Sequence, residues 1–275
     1  MRSRFGHRLR WARTGSGAVG LGLVVVIVLL VLIGPLFAPH NPADTVGLTG
    51  ASPDAAFPLG TDRLGRDVLS RLLWGGRSVI GLALAATLAC YAVGLLVGVT
   101  AGYSRRLEGL LMRSTDVVRA FPPLLFFLII VTGLGTSIWV LILGVTVVQA
   151  PGIARLSHTA TKEVSFRAYV EAAVARGERS LTVIRREILP NILSPLIADA
   201  GLRFTFSVLL VASVNFLGLG LQPPRSDWGL MVSENRDVLT LNPWAVFAPA
   251  AFIALLTIGV NLVGDSVTRS LGRSQ

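Results

Sequence analysis

The chain has 275 residues, 52% hydrophobic and 15% charged, with a net charge of +10 and a mean hydropathy of +0.68. That is too apolar for a soluble domain and marks an integral membrane protein. The positive charge reads as topology rather than nucleic-acid binding, because no basic and aromatic segment outside the apolar runs is large enough to build such a domain. The single cysteine, Cys90, excludes an internal disulfide, and His7, His40 and His158 lack metal-ligand spacing.

Residues 1–16 are a basic tail carrying Arg2, Arg4, Arg8, Arg10 and Arg13 without an acid. Residues 17–39 hold the first span, since the charge-free run Gly17 to Phe37 reaches the ~20 residues that a bilayer requires. It reads as an uncleaved anchor starting inside, being longer than a usual signal-peptide core and lacking a clear small-x-small site before Pro39. Residues 40–77 form an outer segment ending in PLGTDRLGRDVLSRLLWGGRS, where Asp44, Asp54, Asp62 and Asp67 balance Arg63, Arg66, Arg71 and Arg77. Leu64, Val68, Leu69, Leu72 and Leu73 recur at helical spacing and predict a short amphipathic helix at the outer interface, anchored by Trp74. Loop closure and contact with a partner both fit that helix.

Residues 78–264 hold the remaining spans. The second runs from Ser78 to Gly102, and Arg105 and Arg106 return the chain inside. The charge-free stretch Ala120 to Ala154 is too long for one crossing and too short for two, so its turn falls at Gly133 to Ser137. The third helix is then expected to begin near Leu110 and to take Arg113, Asp116 and Arg119 into its cytoplasmic end. Asp116 and Arg119, three apart, are expected to pair, and as charges near the membrane they are also gate candidates. Pro122 and Pro123 predict a kink just inside the membrane, which suits a moving gate.

The fourth span runs from Trp139 to about Leu156, and the fifth from about Ile192 to Leu217. The fifth carries Asp199 and Arg203, four apart and expected to pair near the inner boundary, with Asn215 at its outer end serving either packing or the pore. Gln222 to Asn242 is a second outer segment, with Pro223, Pro224, Trp228 and Trp244 as turn and interface signals. Trp244 to Gly264 is the sixth span and 265–275 a short tail. Eighteen lysines and arginines then lie inside and six outside, which predicts cytoplasmic termini.

Between the fourth and fifth spans, residues 157–191 form a polar loop. Ser165 is a plausible N-cap, and Phe166, Tyr169 or Val170, and Ala173 or Val174 follow at helical spacing. Gly177 suits a helix C′ position, after which Leu181, Val183, Ile184, Ile188 and Leu189 make a second stripe that Pro190 ends or kinks. Ala172 and Ala173 keep the first helix slim on one side, fit for a groove on another protein. Arg176, Arg179, Arg185 and Arg186 equally suit lipid headgroups.

Glu171, Ala172 and Ala173, then Gly177, then Ile188, Leu189 and Pro190 reproduce a spacing that resembles the loop by which permeases of bacterial ABC importers dock on their ATPases. PLGTD, LGRD and NFLGLG followed by PPRSDWG resemble the C-type permeases of the dipeptide, oligopeptide and nickel importers. Arg176 departs from the leucine usual there, Glu178 and Arg179 from small residues, and Asn215 from serine.

The resemblance implies an all-α integral membrane protein of six transmembrane helices, a type I importer permease with a cytoplasmic coupling helix between helices four and five. It implies a heterodimer with a second permease, two ATP-binding subunits or domains, and an extracytoplasmic substrate-binding protein, in the bacterial cytoplasmic membrane. ATP and magnesium would be held by the ATPase partners and no cofactor by this chain. The coupling residues carried over are Phe166, Tyr169, Val170, Glu171, Ala172, Ala173, Arg176, Gly177, Leu189 and Pro190.

Dipeptides or oligopeptides are the implied substrates, with nickel, glutathione-like peptides and haem as alternatives; no histidine and carboxylate set argues for nickel. Lys162, the only lysine, precedes Glu163, so no GxxxxGK[ST] phosphate loop exists, and no nucleophile and base are arranged for catalysis. The chain is therefore expected not to be an enzyme. An ATP-independent secondary transporter or channel is the rival, and it would call for mid-membrane ionisable groups and internal repeats. A purely structural anchor for a complex is a third reading.

Overall fold

Ten α-helices follow one another over residues 15–272, the part of the chain described by this computed structural model. The expected basic tail lies almost wholly outside the described residues. The first helix, α1 (Gly15–Ile33), is apolar all round and packs on the last, α10 (Trp244–Gly272). A Cβ at Gly20 would come within 2.6 Å of Leu262 Cβ, so glycine sets how closely the two helices approach. The tail expected from residue 265 is instead the continuation of α10, whose Arg269 reaches Ser16 Oγ at 2.9 Å.

The second helix, α2 (Val68–Tyr103), absorbs the amphipathic helix expected to lie separately at the outer interface. Its 36 residues extend ~54 Å at ~1.5 Å per residue, far beyond a hydrocarbon core of ~30 Å. Asp67 caps its start, accepting from Leu69 N and Ser70 N at 3.2 Å each. Gly75 and Gly76 do not break it, because neighbours occupy the space their side chains would fill. A Cβ at Gly76 would meet Val31 Cγ2 at 2.2 Å and Trp228 Cζ2 at 2.6 Å. Further in, Gly94, Gly98 and Gly102 form the seam against α5 (Ile138–Ser165), where a Cβ at Gly98 would lie 2.3 Å from Ala154 O. Small residues at such spacing let two membrane helices meet backbone to backbone.

The third span differs most from expectation. It is two helices, α3 (Arg105–Arg119) and α4 (Pro123–Leu134), bent by 90° at the break. Pro122 and Pro123 both lack an N–H, and each disfavours helical conformation in the residue before it, so the helix stops rather than kinks. At ~1.5 Å per residue, α4 reaches only ~18 Å. Among the described residues, five helices can cross a membrane by length and composition, and a sixth if α3 and α4 count as one broken span. Nor do Asp116 and Arg119 pair: Asp116 binds Arg155 of α5. Glu108 of α3 likewise meets His158 and Lys162 of α5, tying the two helices together.

The segments expected to lie outside, 40–67 and 222–242, close over the helix ends as one polar-cored cap. The short helix α9 (Trp228–Glu234) brings Glu234 to Arg66 (3.0 Å) and Arg71 (2.7 Å), while Asp62 takes Arg66 Nε (2.7 Å) and Arg71 Nη1 (2.6 Å). All four side chains are at most 9% exposed. Gly65 adopts φ +71° with a hypothetical Cβ 2.2 Å from Gly47 O, a turn that no other residue fits. Trp228, expected as an interface anchor, is fully buried and donates Nε1–H to Leu72 O at 2.9 Å.

Asp227 caps α9 from complete burial. Its Oδ1 accepts from Asn215 Nδ2 (2.8 Å), Gly229 N (2.9 Å) and Leu230 N (3.3 Å), whereas Oδ2 has no partner among the described residues. Burial pushes this carboxyl up from 3.8 to about 6. The folded state keeps the proton to higher pH than the unfolded chain does, so stability from this group falls as pH rises from 3.8 towards about 6. Asp227→Asn is expected to flatten that slope. Thermal melts of the detergent-purified protein across the same window check it, and an equal slope in both proteins would contradict it.

Candidate coupling loop and membrane cavity

The polar loop folds into a helix, a turn and a second helix. α5 runs to Ser165, whose hydroxyl donates to Thr161 O (2.7 Å), so this serine ends one helix instead of capping the next. Phe166 follows as the C-cap of α5, and Arg167, without a side-chain cap bond, precedes α6 (Ala168–Ala175). Gly177 takes φ +77°. The bonds Gly177 N to Val174 O (2.9 Å) and Glu178 N to Ala173 O (3.2 Å) make a Schellman stop, the role glycine plays at C′.

The second helix begins as α7 (Ser180–Val183), widens into a π turn at Ile184–Ile188 and continues as α8 (Leu189–Phe216). Pro190, expected to end or kink it, does not end it. It sits in the first turn of α8, directly after a turn in which Leu189 N bonds Ile184 O, so a missing N–H is tolerated there.

α6 has two distinct sides. Val170 and Ala173 are buried with Val183 and Ile188 in the core that continues into α2, α5 and α8. Ala173, expected on the contact face beside Ala172, is therefore unavailable to a partner: neighbours in sequence lie ~100° apart on a helix. Phe166 (76% exposed), Tyr169 (43%), Val174 (50%) and Leu181 (64%) point outward together with exposed Ala172 and Glu171. The Glu171 carboxylate has no hydrogen-bond partner among the described residues and does not cap the loop. Among the described residues Arg176 pairs only with Glu178, at 2.7 Å. A scaffold with a rigid buried base and an apolar outer face, outside any spanning segment, is what a docking element requires.

The charges within the spans gather elsewhere. Arg203 Nε donates to Asp199 Oδ2 (2.8 Å), which also receives Tyr91 Oη of α2 (3.2 Å). The expected pair forms, and Arg203 packs over Gly152 of α5. A cavity of about 850 Å³ opens between the end of α3 and α4, α5 and α8, lined by Arg119, Pro123, Gln149, Arg155, Arg203, Thr159 and Ser213 among apolar residues. Pro122 stands at the start of α4, and neither it nor Asp116 is part of the lining. Asn215 is not a pore residue either, being fully buried and bound to Asp227 and to Leu221 N (2.8 Å). Tyr91, Gln149, Gly152 and Arg155 escaped the sequence reading. The available signal was Gln149, an amide inside an otherwise apolar run.

Residues 91–274 match the family described as binding-protein-dependent transport system inner membrane component, and residues 10–51 match the N-terminal transmembrane domain of oligopeptide transport permease C. The di/tripeptide transport system permease protein DppC of Pseudomonas aeruginosa is 35% identical over 93% of this chain and 87% of its own. The glutathione transport system permease protein GsiD of Pectobacterium atrosepticum is 34% identical over 80% and 73%, respectively. A chain of the inward-facing methionine ABC transporter MetNI superposes with a TM-score of 0.59 at 19% identity, covering 73% of this chain and 96% of that one, and so shares the fold. With the matched profile spanning most of a helical, multi-pass membrane chain, this protein belongs to the inner-membrane permease components of binding-protein-dependent ABC transport systems, in the branch that carries the oligopeptide-permease-C N-terminal domain.

Proposed function

We propose that the protein is the C-type permease of an ATP-driven importer of dipeptides or oligopeptides, docking on its ATPase through the outward face of α6. The observation that carries this reading is the exposed Phe166, Tyr169, Ala172 and Val174 set on the buried base of Val170 and Ala173. The similarity to the di/tripeptide permease supports the substrate class. A second reading, a glutathione-like peptide, is favoured by the similarity to the glutathione permease.

In this reading the chain pairs with a second permease, stands on two ATPase subunits or domains that hold ATP and magnesium, and receives substrate from an extracytoplasmic binding protein. Both termini face the cytoplasm of a bacterial inner membrane, in line with the arginine asymmetry. The chain itself hydrolyses nothing. ATP binding closes the ATPase pair and carries α6 with it. Because α6 is fused through Val170 and Ala173 to the core shared by α2, α5 and α8, its displacement is delivered to the helices around the cavity, which then opens outward. Hydrolysis resets the arrangement.

Affinity purification of the tagged subunit in mild detergent, with ATPase assay of what accompanies it, tests the assembly. A second permease and ATP-hydrolysing subunits are expected, and are expected to be lost when Glu171 and Gly177 are changed together. Recovery of a homo-oligomer without ATPase activity would overturn the reading in favour of a secondary transporter or channel.

A further inference from the structure

Three arginines, Arg119, Arg155 and Arg203, line the cavity between α4, α5 and α8, and no acid lines it with them. Asp116 neutralises Arg155 and Asp199 neutralises Arg203, while Arg119 has no acidic partner among the described residues. Of the three, Arg203 is the one held within the helix packing, 22% exposed against 47% for Arg155. Arg203 Nε is fixed by Asp199 (2.8 Å), beside which Tyr91 Oη shares its proton between Leu196 O (2.9 Å) and Asp199 Oδ2 (3.2 Å), so the guanidinium cannot swing freely. Its outer edge lies over Gly152: a methyl group there would come within 2.7 Å of Nη1 and 3.1 Å of Nη2. Neither Nη1 nor Nη2 has a hydrogen-bond partner among the described residues.

Gln149, one helical turn from Gly152 towards the start of α5, is 6% exposed and lines the same cavity. Its Nε2 donates to Ser207 Oγ (2.8 Å), itself bound to Arg203 O (3.0 Å), and this fixes the amide's orientation. Its Oε1 is buried with no partner. A pair of fixed N–H donors on a cation, next to an orphaned acceptor, is complementary to a carboxylate flanked by an N–H. That combination is the C-terminal end of a peptide. Arg203, 22% exposed, keeps two unused donors at the cavity wall, and the unpaired acceptor of Gln149 is costly unless a ligand completes it.

We propose that Arg203 and Gln149 form a subsite in the translocation cavity for the C-terminal carboxylate and adjoining N–H of the transported peptide, with Gly152 keeping the guanidinium edge open. The inference rests on the peptide-importer reading and names the substrate group that this chain recognises. Phe121, Phe206 and Leu209 of the same lining supply apolar walls without polar demands, which leaves peptide side chains unselected.

The test uses the assembled complex in phosphatidylcholine nanodiscs, without the binding protein, and saturation-transfer NMR with trialanine and trialanine amide. A charge-assisted, forked contact favours the free acid about tenfold or more. Wild type is expected to show that preference, and Arg203→Gln to abolish it. Gly152→Ala, which keeps the charge but crowds Nη1, is expected to weaken it severalfold and decides the matter if Arg203→Gln fails to assemble. Equal signals for acid and amide in wild type, binding of neither probe, or a preference unchanged in the variants overturns the subsite.

Trialanine uptake by proteoliposomes containing the complex and its binding protein tests the underlying reading separately. Import without acid preference removes the subsite alone. Acid preference without peptide import keeps a carboxylate subsite and removes the peptide.

Discussion

Asp62→Asn is expected to destabilise the protein by about 3–5 kcal/mol, the cost of leaving buried charge without its partner. Asp62 is completely buried and holds two arginines through one oxygen, Arg66 Nε at 2.7 Å and Arg71 Nη1 at 2.6 Å. Its other oxygen accepts from Leu64 N (2.8 Å) and Arg66 N (2.9 Å), so the carboxylate also shapes the turn that delivers the chain to α2. Neutralising it leaves two buried guanidiniums facing Glu234 alone. The amide cannot relieve them, because its NH₂ group presents donors to donors.

The exposed pair Arg63 with Asp237, 3.8 Å apart and 49% and 79% exposed, is the internal contrast. Asp237→Ala is expected to change stability by less than about 1 kcal/mol, since water screens such pairs. Thermal unfolding of the purified complex with each variant reads both. If Asp62→Asn melts as wild type does, the cap is not held by this network.

Gly177→Val is expected to separate ATP hydrolysis from import. At φ +77° the added Cβ meets no atom within 4 Å, so the cost lies in the backbone conformation and not in a clash. A left-handed residue with a side chain costs ~1–2 kcal/mol and more when β-branched. A cost of that size lowers the population of the native turn by about tenfold, and the Schellman bonds from Gly177 and Glu178 go with it. The face of α6 then no longer stands at a fixed angle to the core. In proteoliposomes the variant should hydrolyse ATP while importing about tenfold less substrate per ATP.

Gly177→Asn, which tolerates the same conformation, should stay close to wild type. That pair of variants separates the backbone requirement from the loss of a small side chain. Wild-type coupling in Gly177→Val would remove the turn from the coupling path.

The sequence alone determined the class of this protein and much of its organisation, because both rest on local properties. Long apolar runs fix spans, arginine asymmetry predicts sidedness, and the EAA, glycine and Leu-Pro spacing marks a helix, stop and helix whose glycine takes the left-handed φ expected of it. Local reading failed wherever a neighbour from another helix decides. The amphipathic stretch up to Leu73 was expected apart from the span at Ser78, yet Trp228 and Val31 pack against Gly75 and Gly76 and α2 runs through. Asp116 had Arg119 within reach on its own helix and pairs instead with Arg155 across an interface. Ala173 and Ala172 share a motif but not a face, since helical geometry sends one to the core and the other to solvent.

The cap followed the same logic. PLGTD and LGRD could be recognised as motifs, while the reason for their acid and arginine lies in Glu234, more than 160 residues away in the chain. The polar group around Arg203 needs α2, α5 and α8 together, because no stretch of one helix contains Tyr91, Gln149 and Asp199. Burial turns an isolated amide or charge into a constrained one, and burial is a property of the assembled helices, not of the order of residues along any one of them.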